Sequence, residues 1–175
     1  MKLVKPNDPI LLKPCDKFSF EDPPIDPFEL VEQMKEVMIE NKGIGLSANQ
    51  VGLPYQVFIM GHYKEPDEIL GVFNSRIVDR FGEEFYTEEG CLSFPGLFIK
   101  IKRYSNIRIR FANETGNVET HVMDGIAARV AQHEYDHGQG ITYQSLASRL
   151  HLQQAKKQKE KLDRLRKRNM RQMHV

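Results

Sequence analysis

The chain has 175 residues, of which 40% are apolar and 28% are charged, and this composition is ordinary for a soluble globular protein. The length fits one domain with a sizeable hydrophobic core. No run of about 18 apolar residues is present, which excludes a membrane-spanning helix. The first ten residues lack the apolar stretch of a secretory signal, so we expect an intracellular protein, unless a transit peptide has been removed.

The net charge of +1 hides two parts of opposite sign. Residues 151–175 hold nine Lys and Arg against Glu160 and Asp163, a net of +7, so residues 1–150 carry a net of −6. The basic part is predicted to be helical from Leu150 onward. It either lies solvated on the body of the protein or contacts a polyanion such as ribosomal RNA. Since no aromatic residue lies among the basic ones, such a contact would be with phosphates.

The N-terminal region is predicted to contain one helix. The first 25 residues are predicted to be irregular because five prolines interrupt them. A helix follows, with Asp26 as its N-cap, Pro27 in its first turn and Gly43 at its end. The segment 43–54 then holds closely spaced glycines, which indicate unusual backbone angles or close approach to a ligand. It lacks the Lys-Ser or Lys-Thr pair and the preceding strand of a phosphate-binding loop, which excludes that alternative.

The middle of the chain is predicted to form strands, at 56–60, 71–74, 76–86, 99–111 and 118–123. Ile107, Ile109 and Phe111 alternate with arginines, the pattern of a half-buried strand. A turn at 113–117 joins the last two strands as a hairpin. The predicted fold class is α+β, with antiparallel or mixed β-sheets surrounding a central helix, an N-terminal helix and a basic C-terminal helix.

That central helix carries the HExxH pattern, within residues 132–137. Residues four apart lie one above the other on the same face of a helix. His133 and His137 can therefore present two imidazole nitrogens to one metal ion, with Glu134 beside them as a candidate general base. The alternative is two ordinary histidines on a buried helix.

The flanking residues favour a helix with one interior face. Ile126 and Val130 continue the stripe of the two histidines, and all four are predicted to face the interior. Asp124 is a candidate N-cap, and Gly138 and Gly140 are predicted to end the helix.

A third ligand is needed, because catalytic zinc-type sites use three protein ligands and leave one position for water. His151 is the one histidine at moderate distance downstream, and it opens the basic segment. Cys91, within residues 88–96, is the better candidate because its glycine-rich surroundings do not suit a simple buried strand. Cys15, in contrast, is predicted to be a small core residue.

Three motifs then converge on a family. GIGLSANQ, EEGCLSFPG and QHEYDHGQG, in this order and spacing, strongly resemble the signature motifs of peptide deformylases. The resemblance covers about residues 6–143. Ser47, the segment 94–96 and the segment 128–130 are more similar to the plastid-type branch than to the enterobacterial form.

The resemblance implies a reaction and its residues. Peptide deformylases remove the formyl group from the initiator N-formylmethionine of nascent polypeptides and release formate. The resemblance implies that Cys91, His133 and His137 ligate a metal ion and that Glu134 is the general base and acid. It implies that the Gln50 amide and the Leu92 backbone N–H stabilise the oxyanion. The positions that match the family's substrate-binding residues are Ile44, Gly45, Gly90, Ile126, Arg129 and Val130. The implied metal is Fe(II) in the cell, with Zn(II) or Ni(II) in purified protein.

Two residues near the predicted metal site differ from those usual in the family, and one possible ion pair has two interpretations. Gly138 replaces a usual leucine, and Phe98 replaces an arginine of enterobacterial members, which leaves peptide preference and stability in question. Arg103 and Asp136 form either a supporting ion pair behind the helix or two independent surface charges.

Two other functions compete with a deformylase. A general metallopeptidase would take its third ligand from downstream of the helix and would cleave unformylated peptides. A structural metal-bound module that binds RNA would need four protein ligands. Residues 1–150 are assigned to the catalytic domain and 151–175 to a basic C-terminal helix or tail of it. We expect a monomer without DNA or membrane partners, in the cytoplasm of a bacterium or virus-infected cell, or in an organellar stroma or matrix.

Overall fold

The structure is a computed structural model that describes residues 1–172, with side chains up to Met170. It confirms the α+β class. The helices are α1 (Pro27–Glu40), α2 (Gly125–Gly138), α3 (Tyr143–Leu146) and α4 (Arg149–Gln172). The strands are β1 (Gly45–Ser47), β2 (Val57–Met60), β3 (Leu70–Glu89), β4 (Ile99–Ala112) and β5 (Val118–Asp124). No helix within residues 1–172 is long and apolar enough to cross a membrane.

The five strands form one antiparallel sheet in the order β1-β2-β3-β4-β5. β3 joins the two predicted strands 71–74 and 76–86 into one. Its register with β4 shifts between Phe73 and Arg76, between Ile77 and Asp79, and between Phe81 and Glu84. Such bulges disturb the two-residue alternation of buried and exposed side chains. The sequence pattern is therefore broken although the strand is continuous.

Helix α1 packs on one face of the sheet and begins as predicted. The Asp26 carboxylate accepts a hydrogen bond from the Glu29 backbone N–H at 3.0 Å, which satisfies a free donor of the first turn. The helix ends at Glu40, three residues before Gly43. The Asn41 side chain donates to the Val37 carbonyl at 2.8 Å and so caps the last turn without a glycine.

Helix α2 packs on the opposite face, where its small side chains allow close approach to the sheet. Ala128, Val130 and Ala131 lie in one buried cluster with apolar residues of β2, β3, β4 and β5. Ile126 contradicts the predicted interior stripe, since its side chain is 67% exposed. It lies in the first turn of the helix, next to the edge strand β5, where no further strand covers it. Asp124 occupies the N-cap position but its side chain makes no capping hydrogen bond.

The beginning of α4 is part of the core. A third buried cluster joins residues of β4 and its preceding loop to α3 and α4, and comprises Leu97, Ile99, Ile101, Tyr143 and Ala155, with Leu152 packed against it. The Tyr143 hydroxyl donates to the Leu97 carbonyl at 2.7 Å within this cluster. The domain boundary at 150 stays a prediction, but residues on both sides of it share this cluster.

Truncation of α4 tests how much of it the fold needs. We expect removal of all residues after Leu150 to lower the free energy of unfolding by roughly 2–4 kcal/mol, because the buried surface of Leu152 and Ala155 is lost. Truncation after Asp163 removes only the later turns, whose leucine and methionine side chains at 165 and 170 are exposed, and should change stability little. Urea unfolding of both truncated chains measures the difference. Equal stability would contradict a structural role for the first turns of α4.

Candidate active site

Three side chains that could hold one metal ion meet beside helix α2. His133 and His137 project from α2, and Cys91 lies just after the end of β3. One ligand atom from each residue lies within 4.8 Å of the others, and the Cys91 Sγ and His137 Nε2 atoms are 3.3 Å apart. A thiolate and two imidazoles are the donors of catalytic zinc-type sites, which keep a fourth position open. The residues therefore fit one divalent metal ion of this kind.

The alternative third ligand is wrong. His151 packs edge-on against Tyr86, with ring centroids 5.0 Å apart, and is not part of the Cys91 group. Cys15 is buried, as predicted, and burial is the main reason why the pKa of its thiol is raised to about 11. A thiol with such a pKa stays protonated at neutral pH and is a poor ligand.

Glu89 holds His133 in place and was not singled out from the sequence. Its carboxylate lies 2.9 Å from His133 Nδ1 and accepts two hydrogen bonds from the Arg103 guanidinium at 2.8 and 3.0 Å. Burial opposes ionisation, but the hydrogen bonds from His133 and Arg103 lower the pKa of Glu89 to about 2. A carboxylate on Nδ1 fixes the ring and leaves Nε2 for a metal. The sequence signal that could have identified Glu89 is its position at the end of a strand, directly before Gly90 and Cys91.

Contacts with Cys91 and Glu89 favour the charged form of His133 when no metal is bound. Burial disfavours the imidazolium, but hydrogen bonds with Cys91 and Glu89 raise the pKa of His133 to about 10. Binding a metal through this ring would therefore release a proton, and affinity would rise with pH.

The supporting ion pair between Arg103 and Asp136 is present, and it is buried. Arg103 Nη1 donates to Asp136 at 2.5 Å while the rest of the guanidinium holds Glu89. One cation thus compensates two carboxylates from different elements, β3 and α2. Buried charges of this kind are costly unless all of them are paired.

Substitution of Arg103 by methionine should strongly destabilise the fold. Glu89 and Asp136 would remain as buried carboxylates without their cation, and we expect a loss of about 3–5 kcal/mol in the free energy of unfolding. Lys102→Met is the matched control on the same strand, since its pair with Glu84 at 2.8 Å is exposed and screened by water, and its loss should change stability little. Chemical denaturation of both variants provides the comparison. Similar losses of unfolding free energy in the two variants would show that the buried network contributes no more to stability than the exposed pair.

Glu134 is buried next to β1, and its position explains Gly45. The Ser47 hydroxyl lies 3.0 Å from Glu134 Oε2 and 2.9 Å from the Glu134 carbonyl oxygen. A Cβ at residue 45 would lie 2.5 Å from Glu134 Oε1, so no side chain fits there. For Gly45, the sequence analysis left two explanations, unusual backbone angles or close approach of another group. The backbone angles are those of a regular strand, and the close approach is that of the Glu134 side chain. Burial raises the pKa of Glu134 to about 7, against the charge of His133 and the Ser47 hydrogen bond.

Gln50 is held in one orientation by its neighbours. The Ser47 backbone N–H donates to Gln50 Oε1 at 2.9 Å, which leaves the amide nitrogen to point at Ser93 Oγ (2.9 Å) and Cys91 Sγ (3.4 Å). Within the described residues, the Leu92 backbone N–H makes no hydrogen bond. Two donors thus lie next to the sulfur ligand, where they can stabilise an oxyanion.

These residues open into a cleft of about 510 Å³. Five of the six predicted substrate-binding residues line it, namely Ile44, Gly45, Gly90, Arg129 and Val130. The sixth, Ile126, is exposed and lies outside this lining, so its role in substrate binding stays a prediction. Asn41, Lys42, Pro95, Gly96 and Phe98 contribute the outer walls, and of these the sequence had linked only Phe98 to peptide preference.

Strand β1 forms one wall of the cleft and is an edge of the sheet. The Ile44 carbonyl accepts from the Gly61 N–H at 3.1 Å, so the pairs with β2 alternate and the Gly45 N–H and C=O point away from β2. An extended peptide can pair with such an edge. The donor set, the buried glutamate and this wall together are typical of a metal-dependent amide hydrolase.

Comparison with known proteins identifies the family. The sequence profile of the family described as polypeptide deformylase matches residues 1–153. The chain therefore belongs to the polypeptide deformylase family, whose members are metalloenzymes.

Similar proteins come from bacteria and plants. A peptide deformylase of Thermotoga petrophila is 37% identical over 134 residues, which cover 77% of this chain and 79% of that protein. The structure of a peptide deformylase from Synechococcus elongatus in complex with actinonin is 30% identical, with a TM-score of 0.81 and coverage of 90% and 85%. Arabidopsis thaliana peptide deformylase 1B in complex with an inhibitor is also 30% identical, with a TM-score of 0.82 and coverage of 97% and 93%. The predicted family is confirmed, and the plastid-type branch stays a prediction.

Proposed function

We propose that this chain hydrolyses the N-formyl group of the initiator N-formylmethionine of nascent polypeptides and releases formate. The observation that carries the proposal is the convergence of Cys91, His133 and His137 in a cleft beside the buried Glu134. Family membership supplies the formyl substrate, because the site alone specifies only hydrolysis of a small carbonyl compound.

The donor set would hold the metal ion, which supplies Lewis acidity and makes water more acidic when it is bound. Glu134 accepts the proton of the attacking water and returns it to the departing amine. Gln50 Nε2 and the Leu92 N–H donate to the oxygen of the formyl group as negative charge develops there.

The peptide part of the substrate would bind along β1. The Gly45 N–H and C=O pair with its backbone, Ile44 and Gly90 form the walls, and Arg129 and Val130 lie towards the methionine side chain. Arg129 is fixed in place by a hydrogen bond from its Nη1 to Thr87 Oγ1 at 2.7 Å. Because the backbone of the first residues is held by the backbone of β1, the cleft suits substrates with many different sequences.

We propose Fe(II) as the metal in the cell, with Zn(II) or Ni(II) in purified protein. A mixed thiolate and imidazole set accepts all three metals, so availability decides which of them is bound. The thiolate also makes the Fe(II) form sensitive to oxygen, since the sulfur itself can oxidise.

The basic helix α4 is a proposed contact with the ribosome, from which the substrate emerges. Its exposed Lys and Arg side chains would meet RNA phosphates, and such binding weakens steeply with salt. Cosedimentation of ribosomes with the full chain and with a chain truncated after Asp163, at several salt concentrations, tests this contact. Equal binding of both chains would contradict it. We propose that the protein acts as a monomer where formylated chains are made, in a bacterial-type cytoplasm or in an organelle.

Formate release from N-formyl-Met-Ala-Ser tests the proposed activity directly. The protein is prepared without oxygen, and metal content is assayed on the same sample. We expect release that is lost on chelation and restored by Fe(II). If the protein binds one metal ion per chain but releases no formate, the proposed substrate is wrong. Cleavage of the unformylated Met-Ala-Ser control would instead indicate the general metallopeptidase.

A further inference from the structure

A second groove runs between helix α4 and the outer side of β3 and β4. Its volume is about 390 Å³, and α4 contributes His151, Gln154, Gln158 and Leu162 to its wall. Lys100 of β4 lies opposite. None of these five residues ligates the metal or lines the first cleft.

The two grooves are continuous. Glu88, Gly96 and Phe98 line both the cleft and the second groove. Phe98 marks the junction, because its ring packs over Gly90, where a Cβ would lie 2.7 Å from the ring, and its side chain is still 55% exposed. A chain that leaves the cleft past Phe98 therefore enters the second groove directly.

The wall formed by α4 suits a polypeptide backbone. Gln154 and Gln158 lie one helical turn apart, and neither side chain makes a hydrogen bond within the described residues. Each primary amide offers a donor and an acceptor, which match the C=O and N–H of a peptide group. Leu162 and the ring of Phe98 add apolar surface. Main-chain recognition of this kind tolerates any sequence, as a substrate with variable residues requires.

We propose that this groove binds the main chain of the substrate downstream of the residues held in the cleft. From His151 to Leu162 the helix rises about 16 Å, enough for roughly five extended residues. With about three residues in the cleft, the enzyme contacts about the first eight residues of its substrate. The inference rests on the proposed deformylase activity and extends its substrate from a short peptide to an emerging chain.

Peptide length tests the groove separately from the activity. The substrates are N-formyl-Met-Ala-Ser and a ten-residue peptide that begins with the same three residues. For the wild-type protein we expect kcat/KM to be about five- to thirtyfold higher for the long peptide, the effect of one or two net hydrogen bonds. The gain should lie mostly in KM, because the groove is far from the reacting bond.

Two variants test whether the higher kcat/KM for the long peptide comes from the groove. Gln154→Ala combined with Gln158→Ala removes the amides, and Gln158→Trp fills the groove. Both should abolish the gain with the long peptide and leave the tripeptide unchanged. Gln153→Trp is the matched control, since Gln153 is exposed on α4 outside the groove, and it should keep the gain.

The failures are distinguishable. No turnover of the tripeptide by the wild-type protein would overturn the proposed function. Turnover of both peptides with equal kcat/KM would overturn the groove and leave the function intact. A gain that survives both groove variants, or that is lost equally in Gln153→Trp, would also overturn the groove.

Discussion

Replacement of Glu134 by glutamine should leave the metal bound and reduce kcat roughly 10²–10⁴-fold, the usual contribution of a general base. The amide has the size of the carboxyl and can accept the Ser47 hydrogen bond, which is 3.0 Å long in the wild-type protein. The cavity beside Gly45 is therefore filled as before. Only the capacity to take and return a proton is lost.

The measurement is formate release by Glu134→Gln, with metal content determined on the same preparation. Glu83→Gln, an exposed change of the same kind on β3, controls for handling of the protein. Metal content near one per chain with little turnover would assign Glu134 to proton transfer. Activity close to that of the wild-type protein would refute that role, and lost metal would indicate a structural role at the metal site.

Replacement of Cys91 by aspartate should change the metal that the site prefers. A carboxylate is a harder ligand than a thiolate, so the preference shifts away from metals that favour sulfur. We expect kcat/KM to fall about 10²-fold or more, because the charge donated to the metal and the contact with Gln50 Nε2 both change.

Metal competition with Zn(II) and Fe(II), followed by elemental analysis, gives the direct readout for Cys91→Asp. Cys15→Ala is the matched control, because it removes the buried cysteine that lies outside the metal group. Its metal content should equal that of the wild-type protein. Unchanged metal preference in Cys91→Asp would mean that Cys91 is not a ligand.

The arrangement of charges behind the metal group links stability to function. Arg103 pairs with Glu89 and Asp136, and Glu89 in turn holds His133 Nδ1. The network thus fixes the ring that would bind the metal, and it connects β3, β4 and α2. Loss of the cation should weaken metal binding as well as the fold, since outer carboxylates orient ligating histidines.

Features that arise within a single segment of the chain could be predicted from the sequence. The pair of His133 and His137 follows from the spacing of four residues on a helix, and the start of α1 follows from Asp26 and Pro27. The α+β class follows from strand and helix periodicities. Even the family could be identified, because three motifs stand in a fixed order.

Contacts between residues that are distant in the sequence could not be predicted in this way. Sequence periodicity describes which side of its own helix or strand a residue faces, not what packs there. Glu89, 44 residues before His133, therefore became visible only as its partner. Ile126 fits the helical stripe but lies beside the edge strand and is exposed, and His151 lies in another groove. The second groove exists because the first turns of α4 pack on β4, a contact that no local pattern encodes.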